Sequence, residues 1–290
     1  DTVYRFLNSV HTNWRRFLLL LSSRVISQEL APLTGVDNMK VLIADDTLYR
    51  RNRSKHVELL ARVFDHTDRR YYRGFRMLTL GWSDGISFLP VCCALLSSSK
   101  EKNRLVPLRM DIDRRTNGAR RRRESIGKAT DVLVEMVDQA KASGIKAGHL
   151  LFDSWFAFPD KRRWDIEVFF KMAKSFLNLA KECQGRSYDA LTAHATVVCC
   201  RYIMLELARR MNKDPRTLGS LFHAACEELK QTGFLEALAI MLSLLEQTLG
   251  AVMGISKELI SSLTNRFLNE LPPIYKARLL FSGRNPLINH

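Results

Sequence analysis

Residues 41–47 read Val41-Leu42-Ile43-Ala44-Asp45-Asp46-Thr47, an apolar run that closes on two carboxylates. Four consecutive apolar residues bounded by polar ones predict a buried central strand. A carboxylate at the end of such a strand is costly unless a charged group meets it. Because neighbouring side chains of a strand face opposite ways, only one of the two can face that group. We expect it to be Asp45, which has Thr47 on its own side, with Asp46 as the alternative.

Two further acidic residues have comparable settings. Asp153 follows the apolar run 150–152, and Glu167 lies in a segment with helical spacing. An Asp after a strand also commonly caps a helix, and a charged helix face is often a row of exposed salt bridges. Brought together, three carboxylates would supply the oxygen ligands that a pair of Mg²⁺ ions needs for phosphodiester chemistry. The helix face of Glu167 also carries Arg163, Lys171 and Lys174, and the other side of the helix presents Ile166, Phe170, Ala173 and Leu177 as its buried side.

The order of elements predicts the fold. Hydrophobic periodicity gives strand, strand, strand, helix, strand, helix, which is the order of an RNase H-like domain. In that α/β fold, a mixed sheet flanked by helices, the first and fourth strands are parallel neighbours, so we expect Asp45 and Asp153 at one sheet edge. The predicted elements are strands at 41–44, 74–82, 86–96 and 149–152, and helices at 126–142 and from 164 onward.

Three domains follow from the same pattern. Residues 1–37 form a helical N-terminal module that either contacts DNA or packs on the next domain. Residues 38–182 form the RNase H-like catalytic domain, and residues 183–290 form a C-terminal helical region. The apolar stretch 237–255 contains Glu246 and Gln247, so we interpret it as a core helix rather than a membrane span.

The net charge and the cysteines narrow the range of possible partners and cellular compartments. The net charge of +15 and pI of about 9.8 favour a polyanionic partner, first of all DNA or RNA. None of the six cysteines has the spacing of a zinc site, so they are interpreted as small buried residues in a reducing cytoplasm. Many basic residues fall into two clusters in the sequence, and each cluster is either a set of phosphate contacts or a solvated face. These clusters are Arg50, Arg51, Arg53 and Lys55, and Arg114, Arg115 and Arg120 to Arg123.

The chain resembles the bacterial cut-and-paste insertion-sequence transposases of the DDE class, in particular the group with a Tyr-Arg-Glu-Lys signature. The three acidic blocks are Ile-Ala-Asp45-Asp-Thr, Leu-Phe-Asp153-Ser-Trp and Arg-Trp-Asp-Ile-Glu167. The signature spacing of Arg, three residues, Glu, six residues, Lys selects Arg163, Glu167 and Lys174.

Two departures from that group concern the segment between the second and third acids. The signature Tyr would fall at Asp160, and only residues 154–166 separate Asp153 from Glu167, where the group carries a strand-rich insertion. Thirteen extended residues still span about 40 Å, so the site can close without the insertion. Of the two alternatives, a deleted insertion or a missing segment between 159 and 160, we expect the second, with a break in the chain there.

The resemblance implies a magnesium-dependent DNA transposase. Asp45, Asp153 and Glu167 would hold two Mg²⁺ ions per active site, replaceable by Mn²⁺. The enzyme would pair two DNA ends with terminal inverted repeats as a homodimer, cut them through a hairpin intermediate and join them to target DNA, at the bacterial nucleoid in the cytoplasm. Phosphates would be held by Arg163 and Lys174, and further by Lys171, Arg50, Arg51, Arg53 and Lys55.

Two other functions stay open from the residues. One is an RNase H-like nuclease or junction resolvase, which cuts DNA without strand transfer. The other is a domesticated DNA-binding protein whose acidic residues are only structural. Cleavage of branched DNA without inverted repeats would favour the first, and binding without any nicking would favour the second.

Overall fold

The protein is a mixed α/β structure in which helices flank a sheet. The computed structural model describes residues 2–35, 38–109, 111–152, 163–181, 183, 185–231, 241–246, 249 and 256–270. Five described strands form one mixed sheet. The predicted fold class, an RNase H-like mixed sheet flanked by helices, is confirmed.

The strands are β1 (Val41–Arg50), β2 (Ala61–Asp65), β3 (Arg70–Ser83), β4 (Phe88–Leu96) and β5 (His149–Phe152). The sheet is organised around its longest strand, β3. One edge of β3 pairs antiparallel with β1, and its other edge pairs with β2 and then with β4. On the far side of β1, β5 runs parallel to it. Because β5 is the fourth of the predicted strands, the predicted parallel pairing of the first and fourth strands is confirmed.

Strand β2 was not predicted, and it lengthens β3. Its five residues include Arg62 and Asp65, so its apolar signal is weak, but it pairs with the start of β3 and extends that strand back to Arg70. Gly74 lies where β1, β2 and β3 meet. A Cβ atom there would stand 2.2 Å from the carbonyl oxygen of Tyr49, so only glycine fits this close approach.

Helices flank the sheet. They are α1 (Thr2–Leu7), α2 (Trp14–Arg24), α3 (Asn117–Ser125), α4 (Ala129–Ala142), α5 (Arg163–Ser175), α6 (Tyr188–Met211), α7 (Leu218–Gln231) and α8 (Lys257–Glu270). Helices α2 and α6 pack on β4, α4 packs on β3 and β4, and α5 packs on β1. Helix α4 buries Val132, Met136, Val137 and Ala140.

The second basic cluster divides into exposed and internal members. Arg114, Arg115, Arg120 and Arg123 are exposed. On α3, the Arg122 guanidinium is buried between the carboxylates of Glu58 and Asp189, each at 2.7 Å. Arg121 forms a second ion pair with Asp189. Although burial acts to lower it, the pKa of Arg122 is raised by these hydrogen bonds, so the guanidinium stays charged. No local pattern indicates this network, because its acids, Glu58 and Asp189, lie far from α3 along the chain.

The chain divides into two compact units, Asp1–Phe222 and His223–His290. The first contains the whole sheet; in the second, α8 buries Ile260, and residues 241–246 are helical. The predicted boundaries after residues 37 and 182 stay predictions. Among the described helices, only α6 is long and apolar enough to cross a membrane, but most of it is buried, as in a core helix. Most of the stretch 237–255 lies outside the described residues.

The cysteines behave largely as predicted. All six thiols are free, and Cys92, Cys93 and Cys199 are buried, whereas the other three are partly buried. Burial raises the pKa of Cys92 to about 12, so this thiol stays neutral. Cysteines of this kind contribute to packing as small apolar residues.

Candidate active site

Asp45 stands where the buried part of β1 ends. Residues 41–44 are all buried, and Asp45 is the first partly exposed position. Its Oδ1 accepts a hydrogen bond from the backbone N–H of Asp46 at 2.7 Å. In register it lies opposite the buried Thr79 of β3. The carboxylate thus lies at the border between core and solvent, where an ion can reach it.

Asp46 is held by an arginine. The Arg76 guanidinium donates from Nη2 to Oδ1 at 3.0 Å and approaches Oδ2 with Nε at 2.5 Å, a two-pronged ion pair. The carboxylate of Asp46 therefore already has a cationic partner, which comes from β3. This pairing favours the sequence-based choice of Asp45 as ligand, which stays a prediction.

The end of β5 lies beside the end of the apolar run. The parallel pairing matches Ala44 with Phe152, the last residue of β5. Asp45 and Asp153 are the residues that follow these two in the sequence. Asp153 itself, and the predicted chain break between 159 and 160, lie outside the described residues.

Helix α5 turns an apolar side to the core and a charged side outward. Ile166, Phe170, Ala173 and Leu177 are buried, as predicted. Glu167 and Lys171 are exposed. The other acid of this segment, Asp165, accepts a hydrogen bond from the Ser83 hydroxyl at 2.8 Å.

Lys174 links α5 to the strand of Asp45. Its ammonium donates to the Thr47 hydroxyl, and Thr47 is on the same side of β1 as Asp45. Glu167 is seven residues earlier, on the same helix face as Lys174. Burial lowers the pKa of Lys174, Arg50 lowers it further, and Asp65 and Asp45 act in the opposite direction. Lys174 therefore brings its end of this helix face to the Asp45 side of β1, whereas Glu167 and Lys171 are exposed.

Within the described part of the chain, no three His, Cys, Asp or Glu side chains converge as a metal-binding group. The predicted triad includes Asp153, which is not described, so the triad stays a prediction. Arg163 is the first residue of α5, but its side chain also lies outside the description.

The first basic cluster divides into internal and exposed members. Arg50 pairs with Asp65 and Asp68 at 2.9 and 3.0 Å. Arg51 donates to the backbone carbonyls of Cys183 and Gly185. These contacts are structural, and any role of the two arginines in DNA binding stays a prediction.

Arg53 and Lys55 are exposed beside a basic notch of about 240 Å³. The notch is also lined by His56 and Arg186, which sequence reasoning missed. Arg186 is distant in sequence, and it reaches this place because its carbonyl accepts from the backbone N–H of Glu58 at 3.1 Å. No local motif indicates that contact. The chemistry of the notch suits an anion.

Comparison with known proteins agrees with this arrangement. A family model described as DDE superfamily endonuclease matches residues 1–167, which is more than half of the chain and reaches from the N-terminal helices to Glu167. No curated protein and no solved structure matched the chain. The Tyr-Arg-Glu-Lys subgroup stays a prediction. Fold, site and family model together lead to one conclusion: the chain belongs to the DDE superfamily endonucleases, enzymes that cleave nucleic acid.

Proposed function

We propose that this protein is a DNA transposase that cuts the ends of a mobile element and joins them to target DNA. One observation carries the proposal: β1 and β5 are parallel neighbours whose last matched pair is Ala44 and Phe152, directly before Asp45 and Asp153. Neighbouring parallel strands that each continue into an aspartate favour two carboxylates at one sheet edge. Glu167 would supply the third from α5.

The residues proposed as ligands suit a hard divalent cation. Asp45, Asp153 and Glu167 offer only carboxylate oxygens, the donors that Mg²⁺ and Mn²⁺ prefer. When bound, two such ions would activate the attacking oxygen and stabilise the leaving one. The position of Asp45 at the border of the core supports this role, since its carboxylate is fixed by the Asp46 N–H yet only partly buried.

The cations around these acids would hold the DNA backbone. Lys174 is anchored on Thr47, so its ammonium stands near Asp45 without being fully buried. In the proposed complex it contacts a phosphate at the cut end, with Arg163 and Lys171 along the same helix face. Arg53 and Lys55, at the basic notch, would contact phosphates further along the duplex, and Arg50 and Arg51 would support them.

The finer steps are those that the resemblance to the cut-and-paste transposases implies. Water would attack first and free a 3′-hydroxyl at each end, and that hydroxyl would attack the opposite strand to give a hairpin that a second water reopens. Joining to target DNA repeats the same in-line displacement at phosphorus. Two chains would pair the terminal inverted repeats as a homodimer at the bacterial nucleoid.

The proposal is tested with DNA that carries the terminal repeats of the element. Asp153→Asn and Glu167→Gln should abolish cleavage in Mg²⁺ and leave binding to the ends intact. Asp165→Asn is the matched control, because that acid accepts a hydrogen bond from Ser83 instead of facing outward, and it should keep cleavage.

Product analysis separates the alternatives. Strand-transfer products on sodium dodecyl sulfate gels and a hairpin at the cut end support the transposase. Cleavage of branched DNA with no joined product would replace it with a resolvase. Binding without nicking in either metal would leave only a DNA-binding protein.

A further inference from the structure

The hairpin of β2 and β3 carries an aromatic pair that is open to solvent at Tyr71. Tyr71 is 66% exposed, and its register partner Phe64 is half-buried. The two ring centroids are 5.1 Å apart at 61°. The His66 ring stands 5.0 Å from the Phe64 ring. The two strands thus present an exposed tyrosine ring supported by a second aromatic ring.

Two arginines flank this surface. Arg62 and Arg73 are register partners two positions along the strands from Phe64 and Tyr71, and both are exposed. Among the described residues neither guanidinium has an ion-pair partner. The acids of the hairpin, Asp65 and Asp68, are instead engaged by Arg50. The flanking charge is therefore available to an anionic partner.

The surface continues toward the candidate active site. A shallow cavity of about 260 Å³ is lined by Arg62, Phe64, Tyr71 and Arg76. Arg76 also holds Asp46, the neighbour of Asp45. Through Arg76 the cavity borders the segment of β1 that carries Asp45, with Asp46 on the opposite side of that strand.

We infer that Phe64 and Tyr71, flanked by Arg62 and Arg73, form a stacking platform for an unpaired base of the DNA substrate. An aromatic ring stacks on the face of a base, and that face is accessible only when the base has left the duplex. A purely apolar protein partner would not use two unpaired guanidinium groups, whereas a phosphodiester chain matches them. The inference rests on the proposed function in that DNA is the substrate, and it adds that one strand is opened locally.

The test measures binding of full-length protein to a single-stranded oligonucleotide that contains 2-aminopurine, in EDTA so that no cleavage occurs. Tyr71→Ala should weaken binding by about 5- to 150-fold and remove the stacking-induced fluorescence quench. Tyr71→Leu, which keeps apolar bulk on the strand, should show the same loss, whereas Tyr71→Phe should bind normally. Arg62→Ala and Arg73→Ala should each reduce the salt dependence of log K by about 0.7.

Tyr4→Ala is the matched control, since Tyr4 is 61% exposed on α1, away from this hairpin. Equal affinities for Tyr71→Ala and Tyr4→Ala, or an equal loss on fully paired duplex, would overturn the platform. A parallel cleavage assay separates the two proposals. If the wild type cleaves DNA and Tyr71→Ala binds single strands as well as the wild type does, only the platform is overturned. If Tyr71→Ala loses single-strand binding and the wild type cleaves no DNA, only the transposase proposal is overturned.

Discussion

Replacing Arg122 by methionine should be among the most damaging single changes in the first unit. The side chain of Arg122 is 2% exposed, and its carboxylate partners Glu58 and Asp189 are 5% and 3% exposed. Methionine is similar in length but leaves the buried Glu58 carboxylate without its cation and Asp189 with Arg121 alone. Breaking a buried ion pair from one side costs about 3–5 kcal/mol. For a unit of this size that corresponds to a fall in Tm of roughly 6–20 °C.

The change is measured by urea and thermal unfolding, followed by circular dichroism. Arg120→Met is the matched control, since Arg120 is on the same helix and its ion pair with Glu135 is 61% and 40% exposed. An exposed pair contributes about 1 kcal/mol or less. Adding Glu58→Gln to Arg122→Met should restore part of the lost stability, because the carboxylate left without a cation is removed while Asp189 keeps Arg121. A loss for Arg122→Met that is no larger than for Arg120→Met would refute the idea that the network supports the fold.

Three further predictions concern the site. Asp45→Asn should reduce Mg²⁺-dependent DNA cleavage below detection, whereas Asp46→Asn should retain it; equal cleavage by both variants would remove Asp45 from the proposed ligands. Lys174→Met should weaken DNA binding yet stabilise the free protein at neutral pH, because the pKa of Lys174 is lowered and its charged form is disfavoured in the fold. That stabilisation should shrink as pH rises toward the ordinary lysine value, which unfolding curves at several pH values will check. Arg53→Ala and Lys55→Ala should each reduce the salt slope of duplex binding by about 0.9, measured by fluorescence anisotropy, and unchanged slopes would exclude a phosphate contact.

Much of the fold was predictable because its signals are local. The run 41–44 predicted a buried strand, and the inward side of α5 followed from helical spacing alone. The order of elements then predicted the parallel pairing of β1 with β5. Each of these predictions rests on periodicity or chain order, which a single sequence records directly.

The misses share a physical cause. Strand β2 depends on pairing with β3 more than on its own residues, and the burial of Arg122 depends on acids that only the fold brings near it. The notch formed with Arg186 likewise depends on a contact between distant parts of the chain. The sequence favoured Asp45 over Asp46 only through Thr47, and the ion pair of Asp46 with Arg76 depends on a strand pairing that the sequence does not display. Long-range electrostatic pairing leaves no periodic signal, so the structure was needed.

The way α5 is anchored bears on how this enzyme tolerates change in length. Phe169, Phe170 and Ala173 fix the helix in the core, and Lys174 ties it to Thr47. A slip of one turn would displace Glu167 by about 5.4 Å, and this packing resists it. The location of Glu167 is thus set from its C-terminal side, independently of the linker that precedes it. Evolution or a protein engineer could lengthen or shorten the chain between β5 and α5, even by a whole module, while the glutamate kept its place.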